Sequence, residues 1–291
     1  MADDDDHDQI SLDILFTGEL RPLGHVSPRS SGPLTMRHQQ IVMGTSMSVD
    51  IRGPGSGADG VRDAIGRAFA VLQADDRRFS TYRDDSEVSR INNGCSTLQN
   101  ASPELLEVLR IGAELELQSH GAFCCLDPEG RLDPSAIVKG WSVQRAADVL
   151  TRAGLRSFCL NGGGDVVVRG EPEHGRSWRV AVRNPDGANL LPLAVLAVRD
   201  QAVATSAIYE RGQHLWDGRT GQAAVGLRSV TVVTDDLTWA DALATAVFAL
   251  GPDGVGWATE QFDCCVLAWS TSDQLLTGGD VRALVARPAS G

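Results

Sequence analysis

The sequence is almost devoid of lysine. The 26 basic residues comprise 25 arginines and a single lysine, Lys139, against 38 acidic residues, and the formal net charge is −12. This balance excludes the basic footprint needed to bind nucleic acid and disfavours adhesion to an anionic membrane surface. Lysine carries a compact ammonium on a slim stem, unlike the planar guanidinium of arginine. The lone lysine therefore predicts a site that requires the smaller cation, with chance retention as the alternative.

Aromatic residues are also scarce, at 5% of the 291 residues, so we expect a core built mainly from Ala, Val, Leu and Ile. No apolar stretch reaches the roughly 18 residues of a membrane-spanning helix. The acidic N-terminus lacks the charged-then-apolar pattern of a signal peptide. These absences predict a cytoplasmic protein with no membrane span.

The six cysteines form no CxxC pair. They include the adjacent pairs Cys124–Cys125 and Cys264–Cys265, a spacing typical of neither zinc ligands nor thiol–disulfide redox motifs. We expect buried, reduced thiols.

Two common phosphate-binding motifs are missing as well. The segment NGGGDV at 161–166 is followed by a predicted strand rather than a helix, which excludes the GxGxxG fingerprint of a Rossmann dinucleotide site. No GxxxxGK[ST] sequence occurs, which excludes a P-loop. The glycine run does permit a ligand to approach the backbone closely.

The chain is predicted to form one domain behind an extension. Residues 1–36 combine an acidic run with proline, serine and glycine, a composition typical of a flexible extension, and residues 37–291 form the predicted domain. Apolar periodicity predicts helices over 61–72, 102–119, 141–150 and 239–250, with a loop over 121–141. The mixture of helices and strands without strict alternation indicates an α+β fold of mixed sheets with packed helices. Strands are predicted at 42–52, 157–160, 165–169, 178–182, 194–198, 202–205, 229–234 and 264–269.

Asp241 and Thr245 are candidate metal ligands in the segment TWADALAT. Because they lie four residues apart in a predicted helix, they share one helix face. A carboxylate and a hydroxyl are hard oxygen ligands of the kind that Mg²⁺ prefers. The alternative is simple capping, with Thr238 as the N-cap and Asp241 at the third helical position.

Asp133 and Lys139 lie close together in the segment LDPSAIVKG. A loop there can turn its carbonyl groups toward a cation while the lysine acts as a point charge on phosphate oxygens. The alternative is an ordinary surface ion pair.

His214 is the best candidate for a general base. It stands beside Asp217 in the segment HLWDGRTG, and the ordinary pKa of histidine lies near neutrality. The alternative is a solvated loop histidine.

Taken in order, these segments resemble the ApbE family, the FAD:protein FMN transferases. The resemblance implies a T-fold-like α+β domain, dependence on Mg²⁺, and FAD as the donor substrate. It also implies a client redox protein whose Thr or Ser hydroxyl accepts FMN, with AMP released. The matching segments are MGTSMSVDI, RFSTYRDDSEVSRIN, LDPSAIVKGWSVQRAADVL, LNGGGDVVVRG, ATSAIYERG, HLWDGRTG and SVTVVTDDLTWADALATAVFALG.

The resemblance also implies roles for individual residues. The metal is expected to be held by the carbonyl of Ala136 and the side chains of Asp241 and Thr245. Lys139 is expected to be catalytic as well as cofactor-binding, and His214 to accept the hydroxyl proton. The FAD contacts implied by the resemblance are Met43, Tyr82, Ala122, Phe123, Cys124, Asp133, Lys139 and Trp216.

The chain departs from the family pattern at several positions. Cys124 stands where the family usually has aspartate, Ala207 where glycine is commoner, and Gly218 where the family has the proline of DPxTG. Many relatives are exported lipoproteins, whereas no lipid-attachment cysteine is found here. Two alternatives therefore stand beside the transferase: an Mg²⁺-dependent FAD pyrophosphatase that gives FMN and AMP, and a non-catalytic FAD-binding protein.

Overall fold

The computed structural model describes residues 35–53, 57–186, 191–208 and 215–286. Its strands and helices are numbered here in chain order. The strands are β1 (Thr35–Val42), β2 (Thr45–Arg52), β3 (Phe158–Gly162), β4 (Asp165–Arg169), β5 (Trp178–Val182), β6 (Ala194–Val198), β7 (Ala202–Ala207), β8 (Trp216–Asp217), β9 (Gln222–Ala223), β10 (Leu227–Thr234), β11 (Cys265–Ser270) and β12 (Leu275–Gly278). The helices are α1 (Gly57–Phe79), α2 (Glu87–Asn92), α3 (Pro103–Gln118), α4 (Ser135–Arg152), α5 (Leu237–Leu250), α6 (Gly254–Gln261) and α7 (Val281–Leu284), with a 3-10 turn at Leu98–Asn100.

Eight strands form one antiparallel sheet in the order β1-β2-β3-β4-β7-β10-β11-β12. Two short hairpins, β5–β6 and β8–β9, pair separately from it. The helices are not interleaved between parallel strands, so the α+β prediction is confirmed.

The two faces of the sheet are covered by different layers. Side chains alternate between the faces along each strand. Leu160 and Val232 belong to a core shared with Phe69 of α1 and Phe248 of α5. On the opposite face, Cys159 and its neighbours form a second core with the β5–β6 hairpin. The large helices α1, α3, α4 and α5 therefore lie on one side of the sheet, where α4 and α5 pack against each other, whereas the short helix α7 packs with the β5–β6 hairpin on the other side.

The first strand prediction was wrong in its boundaries. The residues predicted as one strand over 42–52 instead contain the turn between β1 and β2. Met43 and Gly44 both adopt positive φ, at 55° and 68°, between the paired residues Val42 and Thr45. Methionine is not a residue that signals such a two-residue hairpin turn, and the sequence pattern therefore concealed it. β1 begins at Thr35, and the division into an extension over 1–36 and a single domain over 37–291 stays a prediction.

Helix α4 begins six residues before its predicted start. The side chain of Asp133 accepts a hydrogen bond from the amide of Ser135 (3.1 Å), which supports the first turn from outside the helix. As a result Ala136 and Lys139 lie on the helix α4 and not in the predicted loop.

Helix α4 is anchored to α1 by a buried ion pair. Arg145 donates to both carboxylate oxygens of Asp75 at 2.8 and 3.0 Å, and its guanidinium lies 4.3 Å from the ring centroid of Trp141. Burial nevertheless raises the pKa of Asp75, against the opposing effect of Arg145. This contact fixes the helix that carries the lone lysine.

The prediction of buried, reduced thiols was right about the absence of disulfides and wrong about burial for several of the cysteines. All six cysteines are unpaired, but only Cys159 and Cys264 are buried, and Cys95 is exposed. Burial raises the pKa of Cys159 to about 12, which keeps that thiol protonated and unreactive. Within the part of the chain that the structure describes, no helix is both long and apolar enough to cross a membrane.

Candidate active site

The glycine run at 162–164 forms the turn between β3 and β4. Gly163 and Gly164 have φ of 64° and 107° between the paired residues Gly162 and Asp165. The amide of Gly163 donates to the carbonyl of Ser46 (3.0 Å), which lies just after the β1–β2 turn. Met43 and Asp165 therefore lie at the same end of the sheet, and the candidate site is built at this end.

Helices α4 and α5 touch through Gly140. A Cβ atom added to Gly140 would lie 2.5 Å from the carbonyl oxygen of Leu237 and 2.6 Å from Cβ of Asp241. The amide of Gly140 donates to Oδ2 of Asp241 (2.8 Å). In a regular helix this amide points at the carbonyl of the residue four positions earlier. The carboxylate of Asp241 therefore lies beside the carbonyl of Ala136.

Thr245 extends this arrangement by one helical turn. The Oγ1 atom of Thr245 lies 3.2 Å from Oγ of Ser206 on β7. Asp241 itself is buried, with 3% of its surface exposed. The prediction that Thr238 caps α5 was wrong, because Asp236 accepts the hydrogen bond from the amide of Thr238 (2.7 Å). Asp241 is thus turned toward α4 and does not cap its own helix.

These donors fit a hard divalent cation by their chemistry. A carboxylate, a hydroxyl and a backbone carbonyl are oxygen ligands suited to Mg²⁺, which takes few protein ligands alongside substrate phosphate. Among the described residues no group of three or more His, Cys, Asp or Glu side chains is arranged to hold a metal. The candidate set differs from such groups because only one of its three members is an acidic side chain.

Lys139 lies between two buried carboxylates. Its Nζ forms an ion pair with Oδ2 of Asp165 and a second, at 3.4 Å, with Oδ1 of Asp241. Asp165 is 1% exposed, and its Oδ1 accepts a hydrogen bond from the amide of Thr205 on β7 (2.9 Å). Sequence reasoning missed Asp165, although its position directly after a predicted glycine turn was a usable signal.

The electrostatics of the cluster are dominated by burial. Burial raises the pKa of Asp241 to about 7; Lys139 and the Gly140 amide oppose the rise, while the negative charge of Asp165 adds to it. A further positive charge beside Asp241 would favour its ionised form.

Most of the candidate flavin contacts lie in turns and loops between the helices and strands. Tyr82 lies between α1 and α2 and is 92% exposed. The side chains of Ala122 and Phe123 are buried, and Phe123 belongs to the main core, so neither side chain is exposed at the surface. Cys124 is half-buried. Asp133 supports the start of α4, as described above.

The turn that carries Trp216 is docked on the segment 121–124. The amide of Gly218 donates to the carbonyl of Ala122 (2.9 Å). A Cβ at Gly218 would lie 2.5 Å from the carbonyl oxygen of Gly121 and 2.9 Å from Cβ of Cys124. Asp217 holds the turn closed through paired hydrogen bonds from Arg219, both 2.8 Å. Proline at 218 would remove the amide donor and clash with this segment.

We expect Gly218→Pro to weaken FAD binding by about tenfold or more, because a lost hydrogen bond and a backbone clash each cost about 1 kcal/mol or more. Titration of FAD fluorescence measures the affinity, and thermal melting checks the fold. Val225→Ala, an exposed change just beyond the same hairpin, serves as the control. Unchanged FAD affinity in the proline variant would show that the docked turn does not shape the flavin site.

The structure thus brings together Ala136, Lys139, Asp241 and Thr245, and joins the Trp216 turn to the segment 121–124. His214, the candidate base, lies outside the described residues.

The fold and the cluster define an α+β protein with a candidate site for a divalent cation and a phosphate group. The chain belongs to the ApbE family, whose family model matches residues 43–126 and 125–267.

Relatives and solved structures agree with this assignment. A FAD:protein FMN transferase of Klebsiella pneumoniae (strain 342) is 23% identical over 245 residues, covering 63% of this chain and 70% of that protein. One from Rhodobacter capsulatus is 38% identical over 136 residues, covering 44% of this chain and 25% of that longer protein. The solved flavin transferase ApbE of Vibrio cholerae has the same fold, with a TM-score of 0.76 at 22% identity, covering 87% of this chain and 100% of that one.

Proposed function

We propose that this protein is a FAD:protein FMN transferase that requires Mg²⁺. It transfers the FMN moiety of FAD to a Thr or Ser hydroxyl of a client flavoprotein through a phosphoester bond and releases AMP. The observation that carries the proposal is the buried cluster of Lys139, Asp165 and Asp241 beside Thr245, at the end of a sheet in a chain of this family. A protein of net charge −12 repels an anionic cofactor. This cluster offsets the repulsion with the ammonium of a lysine and with oxygen ligands for a cation.

The proposal gives each of the predicted site residues a role. The carbonyl of Ala136 and the side chains of Asp241 and Thr245 hold Mg²⁺, which when bound offsets negative charge on the phosphate oxygens. Lys139 places its ammonium against the same oxygens. Met43, Tyr82, the segment 122–124, Asp133 and Trp216 contact the dinucleotide.

The transfer itself is a displacement at phosphorus. The client hydroxyl oxygen bonds to the FMN-side phosphorus, and the bond from that phosphorus to the bridging oxygen breaks. The bridging oxygen leaves with AMP, and His214 takes the proton of the attacking hydroxyl.

An assay with a client domain tests the proposal. The protein is incubated with FAD, Mg²⁺ and a domain that carries an acceptor threonine, and a Thr→Ala version of that domain is the control. Covalent fluorescence on the threonine domain alone, with AMP released in equal amount, is the expected result. Free FMN with AMP and no labelled domain would indicate a pyrophosphatase, and intact bound FAD would indicate a binding protein; either would contradict the transferase.

We expect His214→Ala to slow transfer by about 10²-fold or more, the usual contribution of general-base catalysis, while FAD affinity changes little. The pH–rate profile of the wild-type protein should show an ionisation that the variant lacks. His174→Ala, at an exposed loop position, is the control. A profile unchanged by the loss of His214 would remove it from the reaction.

A further inference from the structure

The ammonium of Lys139 is shared unequally between two carboxylates. It forms the closer contact with Oδ2 of Asp165 and lies 3.4 Å from Oδ1 of Asp241. We propose that Asp165 is a positioning residue that holds Lys139 away from Asp241, so that Asp241 keeps an oxygen for the divalent cation. The inference rests on the metal site of the proposed function and adds a residue to it.

The position of Asp165 is fixed by its backbone and by a hydrogen bond to its side chain. It follows the Gly163–Gly164 turn directly and opens β4, so its backbone is set by the hairpin. The Thr205 amide fixes Oδ1 from the neighbouring strand (2.9 Å). Its side chain is 2% exposed, which leaves no water to compete for the second oxygen. Oδ2 is therefore a fixed negative charge directed at Lys139.

One oxygen of Asp241 accepts a backbone amide, and the other is held, among the described residues, only by a long contact with Lys139. Oδ2 accepts the Gly140 amide (2.8 Å), whereas the 3.4 Å separation between Oδ1 and Nζ exceeds the usual length of a charge-assisted hydrogen bond. Lys139 is 21% exposed and has a flexible four-carbon stem. Without the charge of Asp165, its ammonium would move onto Oδ1 of Asp241 and compete with a metal ion for that oxygen.

This role differs from a simple contribution to the local charge. If Asp165 acted only as a negative charge, its removal would weaken cation binding equally whether or not Lys139 is present. If Asp165 acts by restraining Lys139, its removal has no effect once the ammonium is gone. A double-mutant cycle separates the two cases.

The test uses Mn²⁺, a cation that suits the same oxygen ligands, and counts bound Mn²⁺ by electron paramagnetic resonance on the full chain without FAD. Asp165→Asn keeps an acceptor for the Thr205 amide and removes the charge. We expect it to weaken Mn²⁺ binding by about tenfold, within the range of coupling measured between residues in contact. Lys139→Met should tighten binding, and the double variant should bind at least as tightly as the wild type.

Asp50→Asn is the matched control. Asp50 is another buried carboxylate, paired with Arg37 and Arg52 at 3.0 and 2.7 Å, and its side chain points to the opposite face of the sheet. Its substitution should leave Mn²⁺ binding unchanged.

Two results would overturn the inference while leaving the metal site intact. One is an equal weakening by Asp165→Asn in both backgrounds, and the other is weaker Mn²⁺ binding in Lys139→Met, which does not depend on how the Asp165 variant folds. A wild-type protein that binds no Mn²⁺ would remove the metal site of the proposed function, and the inference with it.

Discussion

Asp241→Asn should abolish transfer, lowering turnover on the order of 10³-fold, because a bound metal ion contributes several kcal/mol to stabilising charge in the transition state. The amide keeps the volume of the side chain and an oxygen for the Gly140 amide, but it is a poor ligand for Mg²⁺. Turnover at saturating FAD over a range of Mg²⁺ concentrations measures the effect. The variant should recover little activity even at high Mg²⁺.

The loss of turnover in Asp241→Asn should not come from unfolding of the protein. The folded-state pKa of Asp241 is raised to about 7 by burial, so the folded protein binds this proton more tightly than the unfolded chain does. In metal-free buffer the ionisation of Asp241 therefore lowers stability as pH rises from about 4 to about 7. Since asparagine carries no charge to desolvate, we expect the metal-free variant to be at least as stable as the wild type at pH 8.

Asp253→Ala is the control for this substitution, since Asp253 is an exposed acidic residue just beyond the end of α5. It removes the same formal charge and should leave turnover unchanged. Wild-type turnover in Asp241→Asn at limiting Mg²⁺ would exclude Asp241 as a metal ligand.

Gly140→Ala should both destabilise the protein and inactivate it. Alanine favours a helix interior over glycine by about 1 kcal/mol, so a purely local effect would stabilise α4. The added Cβ, however, would lie 2.5 Å from a backbone oxygen and 2.6 Å from Cβ of Asp241, and neither atom belongs to the flexible end of a side chain. We expect overpacking to prevail, with a net loss of about 1–3 kcal/mol.

The same displacement would move Asp241 relative to Ala136 and Lys139. A misplacement of about 1 Å costs about 10²-fold in rate, so turnover should fall by that factor. Urea denaturation and turnover measure the two effects separately. Gly66→Ala in α1 is the matched control, because nothing lies within 4 Å of its added Cβ and it should stabilise the protein. A Gly140→Ala protein as stable and active as the wild type would show that α4 and α5 can separate without consequence.

Much of the secondary structure could be predicted from local patterns. The strands at 165–169, 178–182 and 194–198 have their predicted bounds, because apolar runs between turn residues are a local signal. Helix α3 begins where Ser102 and Pro103 predict it, and Ser102 accepts a hydrogen bond from the Leu105 amide (3.2 Å). The missed elements have weaker patterns, since they are short or lie half-exposed at an edge of the sheet; they are β1, α6, β12, the two-residue strands β8 and β9, and α7.

The candidate site could be predicted only in part, because its geometry depends on contacts distant in sequence. The shared helix face of Asp241 and Thr245 follows from their spacing alone. The contact between Gly140 and Asp241 joins residues 101 apart, and no local pattern indicates it. Asp165 had a local signal in the glycine turn before it, but its link to Lys139 appears only once β4 and α4 are packed together.

The proposed ligands of the cation and phosphate lie on α4 and α5, whereas most of the proposed flavin contacts lie on turns. Regular elements hold their backbones through many mutual hydrogen bonds, while a turn can exchange residues with only its immediate neighbours adjusting. We therefore expect substitutions at an exposed turn residue such as Tyr82 to cost less stability than substitutions at the contact between α4 and α5, whereas a docked turn residue such as Gly218 is as constrained as a helix position.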